Sequence, residues 1–324
     1  IYFFILTIIN SIARGNFFDD LIYNLYIIIF PSIVLLLYNK MSIKAYVVLT
    51  NLCYTIVIVL LFYFFGLFES NYVSGYDYET INFSPVVGFV GPFQTSHLCS
   101  IFCSFLSIFY MYDFMKFKRK ISLFFLIITI FLMLSTYVRT GIIMSFFGIL
   151  YISFKEFRLS RLFLPILLSS IFILYSGLEY LNPFLIRFFE DFELYSSNNL
   201  SKLGSGRYYI WNEYLSNYNP KILDILFGYG RTEQLDLIES SFFGLRLIPH
   251  NGFIELFFFN GLICSIIYVF VMLKFLFYSI KHNNSLLGAY IFSLLPYLAF
   301  QSYTIIHTSI FISLAFLITK QKHK

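Results

Sequence analysis

Apolar stretches long enough to cross a lipid bilayer recur along the whole of this 324-residue chain. A bilayer core about 30 Å thick needs roughly 20 apolar residues per helix. The stretches are 21–38, 45–67, 97–113, 121–138, 139–154, 162–178, 250–273, 286–303 and 306–319, and residues 1–10 look like the end of another helix. Because lipid offers no hydrogen-bond partner to exposed backbone, each stretch must be helical. The sequence therefore predicts an all-α polytopic integral membrane protein with about ten transmembrane helices.

The composition excludes a soluble globular domain. Hydrophobic residues make up 59% of the chain and charged residues only 12%, whereas soluble domains carry about 25% charged residues. The four cysteines, at positions 53, 99, 103 and 264, all fall inside apolar stretches without the spacing of a metal site or a disulfide framework. We therefore expect them to be small buried hydrophobic residues.

The short loops between the stretches separate positive from negative charge. Loops 39–44, 113–120, 155–161, 274–285 and 320–324 hold 14 of the 22 Lys and Arg residues but only two acids, Asp113 and Glu156. Cytoplasmic loops of membrane proteins carry this excess of positive charge. The formal net charge of +5 is thus a signal of orientation rather than of nucleic-acid binding. It predicts a cytoplasmic C-terminus and places segments 68–96 and 179–249 on the opposite face.

Three regions follow from this topology. Residues 1–178 form N-terminal transmembrane helices with the outer loop 68–96, residues 179–249 form a large outer loop, and residues 250–324 form the C-terminal helices. A loop as long as 179–249 is usually functional. Its aromatic and aliphatic residues recur at helical spacing at Trp211, Tyr214, Leu215 and Tyr218, and Ser205 before them is the candidate N-cap. This pattern predicts a short helix that lies flat at the membrane interface.

Arginines are prominent in and near this loop. Arg207 and Arg231 stand beside glycines, where a ligand can approach the backbone closely, and Arg139 lies between two apolar stretches. Arg246 closes the loop just before the next stretch. The planar guanidinium group matches phosphate oxygens and keeps its charge. A cluster of these side chains predicts an anion site, while an ion pair with a loop carboxylate is the competing interpretation for each arginine taken alone.

His250 follows Pro249 at the start of the next apolar stretch. Proline suits the first turn of a helix, which predicts that His250 stands at a helix N-terminus, where unpaired N–H groups favour anions. The same field disfavours imidazolium, so a neutral histidine there can act as a general base. Asn251 and Glu255, four residues apart, share one helix face. The competing interpretation is an interfacial histidine bonded to a loop carbonyl.

Several short motifs around the large loop resemble those of the O-antigen ligase/polymerase superfamily. His250-Asn251 followed after nine residues by Gly261 resembles the O-antigen ligase signature, although its final position is here Cys264 instead of Gly, Thr or Tyr. The other similar motifs occur in the family's order. They are Gly91-Pro92-Phe93 with Ser96, the segment 135–141 (STYVRTG), Ser205-Gly206-Arg207 with Trp211, and the segment 226–230 (LFGYG). The bias toward Ile, Phe, Tyr and Asn is most like the Wzy-type O-antigen polymerases.

The resemblance implies a GT-C-like fold and a metal-independent glycosyltransferase that needs no cofactor. Its donor and acceptor would be undecaprenyl-diphosphate-linked glycans at the outer face of a bacterial inner membrane, with membrane lipids and a chain-length regulator as further partners. Arginines would neutralise the departing diphosphate, and a histidine would activate or orient the acceptor hydroxyl. The implied catalytic residues are His250, Arg139 and Arg207. The implied substrate-binding residues are Arg231, Arg246, Asn251, His97, His307 and Trp211.

Two other functions compete with a polymerase. A ligase of the same superfamily would transfer finished glycan to a separate acceptor. A flippase or transporter of lipid-linked oligosaccharide would explain the many helices, but transporters usually carry internal repeats and helices broken at mid-membrane. No repeat is visible in the sequence, and the basic residues gather near the outer ends of the apolar stretches.

The charge bias leads to a test of orientation. We expect a cysteine placed at Asn198 to react with a membrane-impermeant thiol reagent in intact spheroplasts, because segment 179–249 should be extracytoplasmic. A cysteine placed at Lys118 should react only after permeabilisation. The reverse pattern would overturn the whole topology.

Overall fold

A computed structural model describes residues 43–69, 88–93, 95–157, 207–216, 219–229 and 250–300 of the chain. Within these ranges the backbone forms eight helices and no strand, which confirms the all-helical prediction for this part of the chain. The helices are α1 (Ile43–Phe64), α2 (Ser96–Phe117), α3 (Lys120–Ser135), α4 (Arg139–Phe157), α5 (Arg207–Ser216), α6 (Ile222–Phe227), α7 (Gly252–Lys281) and α8 (Ser285–Phe300). The apolar stretches 21–38, 162–178 and 306–319, and residues 1–10, lie outside the described residues.

Two of the described helices, α2 and α7, are long and apolar enough to cross a membrane by length and composition. Shorter apolar helices are α3 and the segments Thr50–Phe64 and Ser285–Ala299. The described helices agree with the predicted stretches within a few residues, except that α7 continues to Lys281. The total of about ten spans stays a prediction.

The chain divides into two compact units. The four-helix unit contains α1 to α4 together with residues 279–294. The His250 unit contains α5, α6 and residues 250–278 and 295–300. Each unit is described separately below.

Small side chains allow α2 to lie close to its neighbours in the four-helix unit. The hydroxyl groups of Ser107 on α2 and Ser145 on α4 are 2.5 Å apart. A Cβ built on Gly141 would overlap the Oγ and the backbone carbonyl of Ser100. From α8, the Tyr290 hydroxyl donates to the Phe105 carbonyl over 3.1 Å. Small residues of this kind let helix backbones approach in the absence of water.

A tight turn separates α3 from α4, where the apolar pattern predicts one span ending at residue 138 and the next beginning at once. Tyr137 adopts a φ of 55°, a left-handed conformation that ends a helix. The Thr136 hydroxyl donates to the Met133 carbonyl over 2.6 Å and accepts from the Val138 N–H over 3.3 Å. The turn makes Arg139 the first residue of α4.

Both acids of the predicted cytoplasmic loops are paired with basic residues. Asp113 is fully buried, lies 3.6 Å from Arg119 and accepts a hydrogen bond from the Ser122 hydroxyl. Glu156 lies 3.8 Å from Lys116. Burying a lone carboxylate costs several kcal/mol, and these partners offset that cost. The pairs also join α2 to the start of α3 and to the end of α4.

The four cysteines are free and buried. This confirms the expectation that they act as small hydrophobic residues in the apolar interior.

Two glycines of α4 provide a matched test of this packing. An alanine in a helix interior normally gains up to about 1 kcal/mol over glycine, but a Cβ at Gly141 meets the Ser100 backbone, whereas one at Gly148 meets the movable end of the Ile108 side chain. Overpacking against a rigid neighbour costs about 1–3 kcal/mol. We expect Gly141→Ala to lower the melting temperature in detergent and Gly148→Ala to change it much less. Equal effects of the two substitutions would contradict the close α2–α4 contact.

Candidate functional site

Asn251 closes the head of α7. Its side-chain Oδ1 accepts hydrogen bonds from the N–H groups of Phe253 and Ile254, both over 3.1 Å. Its Nδ2 donates to the Ala299 carbonyl in the last turn of α8 over 3.1 Å. One side chain therefore caps the start of one helix and satisfies a carbonyl near the end of another.

This cap corrects the sequence-based picture of the helix head. The open N–H groups that the sequence predicts as an anion site are occupied in part by the protein's own amide oxygen. The signal was present in the sequence, because Asn immediately before an apolar helix is a strong capping residue. A role for Asn251 in binding substrate stays a prediction.

His250 stands immediately before this cap rather than within the first helical turn. The helix begins at Gly252, and His250 adopts a φ of 49° with an exposed side chain. Non-glycine residues visit this left-handed region uncommonly, although histidine does so more often than most. Because Asn251 is bonded to two helices, the backbone that presents His250 is fixed.

Gly261 interrupts α7. Its φ of 75° and ψ of 178° are not helical, and a Cβ built there would overlap the Leu226 carbonyl and the Gly228 nitrogen. A Cβ on Gly228, whose φ is 76°, would overlap the backbone of Phe259. The two backbones thus touch without any side chain between them. We call this contact the glycine junction.

At the glycine junction, hydrogen bonds from outside the regular helical pattern satisfy backbone carbonyls of α7. The Tyr229 N–H donates to the Phe258 carbonyl over 2.8 Å, and the Ser265 hydroxyl donates to the Gly261 carbonyl over 2.8 Å. At a rise of 1.5 Å per residue, Gly261 lies about 14 Å along the axis from Gly252. Irregular backbone inside a membrane helix requires such internal partners. The junction brings together the segment 226–230 and the His250–Gly261 motif, which the sequence presents as separate.

The predicted helix of the large loop is present as α5, but its aromatic and aliphatic residues differ in their exposure. Tyr214 is buried and its ring contacts the edge of the Phe258 ring at a centroid distance of 5.7 Å and an angle of 82°. Leu215 is exposed and Trp211 is half-buried. The prediction that these residues lie together on one lipid-facing side is therefore wrong for Tyr214, which anchors α5 to α7. Ser205 and Tyr218 lie outside the described residues.

A buried carboxylate lies beneath the head of α7. Glu255 is completely buried in the first turn of that helix. Burial, and secondly the negative charge of Glu255, raise the pKa of the Tyr214 phenol, so this hydroxyl stays protonated in neutral solution. The sequence pattern alone indicates only that Glu255 shares a helix face with Asn251. An ionisable residue inside an apolar stretch was the signal for a more specific role.

Two further motifs meet in the four-helix unit. The Phe89 N–H donates to the Ser135 carbonyl over 2.8 Å, and the Ser100 hydroxyl donates to the Val138 carbonyl over 3.3 Å. A Cβ on Gly88 would overlap the Thr136 carbonyl. These contacts join the backbone just before Gly91-Pro92-Phe93, and Ser100 of α2, to the segment 135–141.

The candidate residues of the four-helix unit lie at helix N-termini. Arg139 is half-buried as the first residue of α4, and His97 is the exposed second residue of α2. Thr95 caps α2, because its hydroxyl accepts from the Leu98 N–H over 3.3 Å. Ser96 therefore begins a helix, as the sequence predicts.

The remaining candidates divide as follows. Within the His250 unit the structure describes His250, Asn251, Trp211 and the backbone of Arg207, which begins α5. Arg231, Arg246 and His307 lie outside the described residues. In the part of the chain that the structure describes, no group of three His, Cys, Asp or Glu side chains is arranged to hold a metal ion.

Residues 124–269 match a family described as O-antigen ligase. No curated protein and no solved structure matches the chain. The matched range contains Arg139, Arg207, both glycines of the junction and His250, whereas His97 and His307 fall outside it. It supports a place in the O-antigen ligase/polymerase superfamily, a class of membrane glycosyltransferase-like enzymes, without separating ligase from polymerase. Together with the apolar helices, it indicates a membrane protein of polysaccharide biosynthesis.

The glycine junction can be tested against an isolated glycine. Gly66 also has a positive φ, 72°, but a Cβ there meets nothing within 4 Å. Alanine at Gly66 should cost only the backbone strain, about 1–2 kcal/mol. Alanine at Gly228 or Gly261 adds an overlap with backbone, about 1–3 kcal/mol more, and should also abolish glycosyl transfer.

The measurements are the melting temperature in detergent and the amount of glycosyl-transfer product formed. If Gly261→Ala behaved like Gly66→Ala in both assays, the backbone contact would be refuted.

Proposed function

We propose that this chain is a metal-independent membrane glycosyltransferase that polymerises oligosaccharide repeat units linked to undecaprenyl diphosphate. The reaction would take place at the outer face of a bacterial inner membrane and yield an O-antigen or capsule-type polysaccharide, with a chain-length regulator as a partner. The observation that supports it most is the joined motif of the His250 unit. In that unit His250 precedes a helix that Asn251 caps, and the backbone of Gly228 packs against the break in this helix at Gly261. All of these residues lie inside the family match.

In the proposed reaction an acceptor hydroxyl attacks the anomeric carbon of the donor glycan. A new C–O bond forms, and the bond between that carbon and the diphosphate oxygen breaks. The diphosphate leaves with the electron pair, and arginine side chains stabilise its charge. The hydroxyl proton passes to the imidazole of His250 or is accepted by the departing diphosphate while His250 orients the acceptor.

The arrangement of His250 suits this role. Its side chain is exposed, whereas its backbone is held by the Asn251 hydrogen bonds. A catalytic base must reach its proton within hydrogen-bond distance, and fixing the base beforehand lowers the entropic cost of that geometry. Arg139 and Arg207, each at the first residue of a helix, are proposed to hold the diphosphate together with Arg231 and Arg246. His97, His307, Trp211 and Asn251 are proposed to bind sugar or line the site.

A ligase is the second candidate, because the matching family is described as O-antigen ligase. We favour polymerase on the residue bias of the chain, which contains 44 Phe and 27 Tyr residues. Incubation of purified protein with lipid-linked repeat units distinguishes the two. A ladder on a gel means polymerase, and a single shifted product on a separate acceptor means ligase. Movement of the lipid-linked glycan across vesicles without a new bond would overturn both and favour a flippase.

The same assay tests the proposed residues. Alanine at Arg139 or Arg207 should lower the elongation rate about 10²–10³-fold, by analogy with oxyanion donors, and lysine should restore little because a point charge loses the bidentate geometry. His250→Ala should lower it about 10²–10⁴-fold. His250→Gln retains hydrogen bonding without accepting a proton, so normal elongation by this variant would assign His250 to positioning alone.

His282→Ala is the matched control, because His282 falls in a predicted cytoplasmic loop. This variant should keep the full elongation rate. Full elongation by all the arginine variants at normal expression would show that the site lies elsewhere.

A further inference from the structure

Two neighbouring apolar side chains of the large loop stand out from the protein on α6. Ile222 is 76% exposed and Leu223 is 66% exposed, and five of the six residues of this helix are apolar (ILDILF). Single apolar side chains at a surface are ordinary, whereas adjacent bulky ones mark a contact with another molecule or with a membrane. We call Ile222 and Leu223 the apolar patch. The position of α6 along α7 indicates what covers it.

The length of α7 places its break at Gly261 relative to a bilayer. The helix has 30 residues and is about 45 Å long, whereas a bilayer core of about 30 Å takes up roughly 20 helical residues. A window of about 20 residues inside Gly252–Lys281 can begin no later than Leu262. Every such window therefore contains Gly261 or begins directly after it. Because α7 is long and apolar enough to cross a membrane, we expect the break within the lipid or at its boundary.

The backbone of α6 is attached to this break. A Cβ built on Gly261 would overlap the Leu226 carbonyl, so the last turn of α6 touches α7 there without a side chain between them. The apolar patch precedes Leu226 by three and four residues, which is about 5–6 Å along the helix. Its side chains nevertheless point away from the protein, since most of their surface is exposed. They therefore face outward at the level of the lipid.

The polar groups of this segment are compatible with that level. The Asp224 carboxylate accepts from the Lys221 N–H over 2.9 Å at the start of α6, where the partial positive charge of a helix end favours an acid. Lys221 is exposed, and a lysine stem can lie along lipid while its ammonium group reaches the headgroups. The N–H groups of Gly228 and Tyr229 donate to the Asp224 and Phe258 carbonyls, both over 2.8 Å. Backbone at membrane depth requires such internal partners.

We propose that α6 inserts the apolar patch into the bilayer, so that this part of the large loop is a lipid-binding surface whose partner is the acyl chains of membrane lipids. Segment 219–229 then enters the membrane beside α7, although the charge pattern predicts that all of 179–249 lies outside it. Insertion holds the segment 226–230 at the level of the lipid. The surface does not depend on the proposed reaction, because a polymerase, a ligase and a flippase can each carry it.

Tryptophan fluorescence tests the environment of the patch. Trp211 is the only tryptophan in the sequence, so Trp211→Phe gives a background without tryptophan. Ile222→Trp and Leu223→Trp are introduced into it one at a time, where an exposed apolar side chain leaves room for the larger ring. Each full-length variant is reconstituted into phosphatidylcholine vesicles, with or without bromine on the acyl chains. Bromine quenches tryptophan from within the lipid, and acrylamide quenches it from water.

Two control variants in the same background calibrate the quenchers. Phe270→Trp reports lipid, because Phe270 is 65% exposed on the second half of α7. Lys322→Trp reports water, because it lies in the hydrophilic C-terminal segment 320–324. We expect brominated lipid to quench Ile222→Trp and Leu223→Trp to the same fraction as Phe270→Trp. Acrylamide should quench both several-fold less than Lys322→Trp.

Two results would overturn the proposal. Quenching of both patch variants by acrylamide alone, as for Lys322→Trp, would place the patch in water. Quenching by neither reagent would show that protein covers it, such as a second copy of this chain.

A measurement on the unaltered protein guards against a variant that does not fold. Wild-type protein is reconstituted with a phosphatidylcholine that carries a diazirine on its acyl chain, and the diazirine is activated by light. We expect lipid adducts on the peptide that contains Ile222 and Leu223, as on the peptide that contains Phe270. Adducts on the Phe270 peptide without any on the patch peptide would refute insertion of α6.

Discussion

The contact between the backbones of Gly228 and Gly261 is the constraint on which the rest of the His250 unit depends. Both residues have positive φ, and at each of them a side chain would collide with the other segment. The break in α7 exists because the segment before Tyr229 occupies the space that a continuous helix with side chains would fill. Two hydrogen bonds, from Tyr229 and from Ser265, then replace helical bonding at the break.

Charge and polarity in the unit are arranged around the same helix head. Asn251 satisfies backbone groups of α7 and α8 at once, and Glu255 lies one turn below in the field of the same helix end. Each group would be costly to bury by itself. Because Asn251 and Glu255 lie together at the helix head, these polar groups fit beside Phe257, Phe258 and Phe259 without disrupting the apolar packing. We call the two residues the polar layer. His250 lies just outside this layer, which separates the exposed imidazole from the buried carboxylate.

The sequence predicted the helices well and the contacts between them poorly. Apolar length located α2 and α7, and helical spacing located α5, because both signals depend on residues close together in the chain. The burial of Tyr214 was missed, since the same spacing suits a lipid-facing stripe and a protein-facing one. The meeting of Gly228 with Gly261 was missed as well, because a glycine in a motif reveals the need for space but not which neighbour requires it. An Asn immediately before an apolar helix also predicts the Asn251 cap, whereas the motif resemblance places Asn251 among the substrate-binding residues.

The Tyr229 hydrogen bond has a consequence for the order in which the protein is made. Its acceptor, the Phe258 carbonyl, leaves the ribosome about 30 residues later, which at 5–20 residues per second is roughly 1.5–6 s. The segment around α6 thus cannot take its final position until the first half of α7 has been synthesised. Folding of this segment is therefore coupled to synthesis of the helix that follows it, and a nascent chain halted between the two would leave the Tyr229 N–H without its acceptor and Gly228 without the Phe259 backbone that covers it.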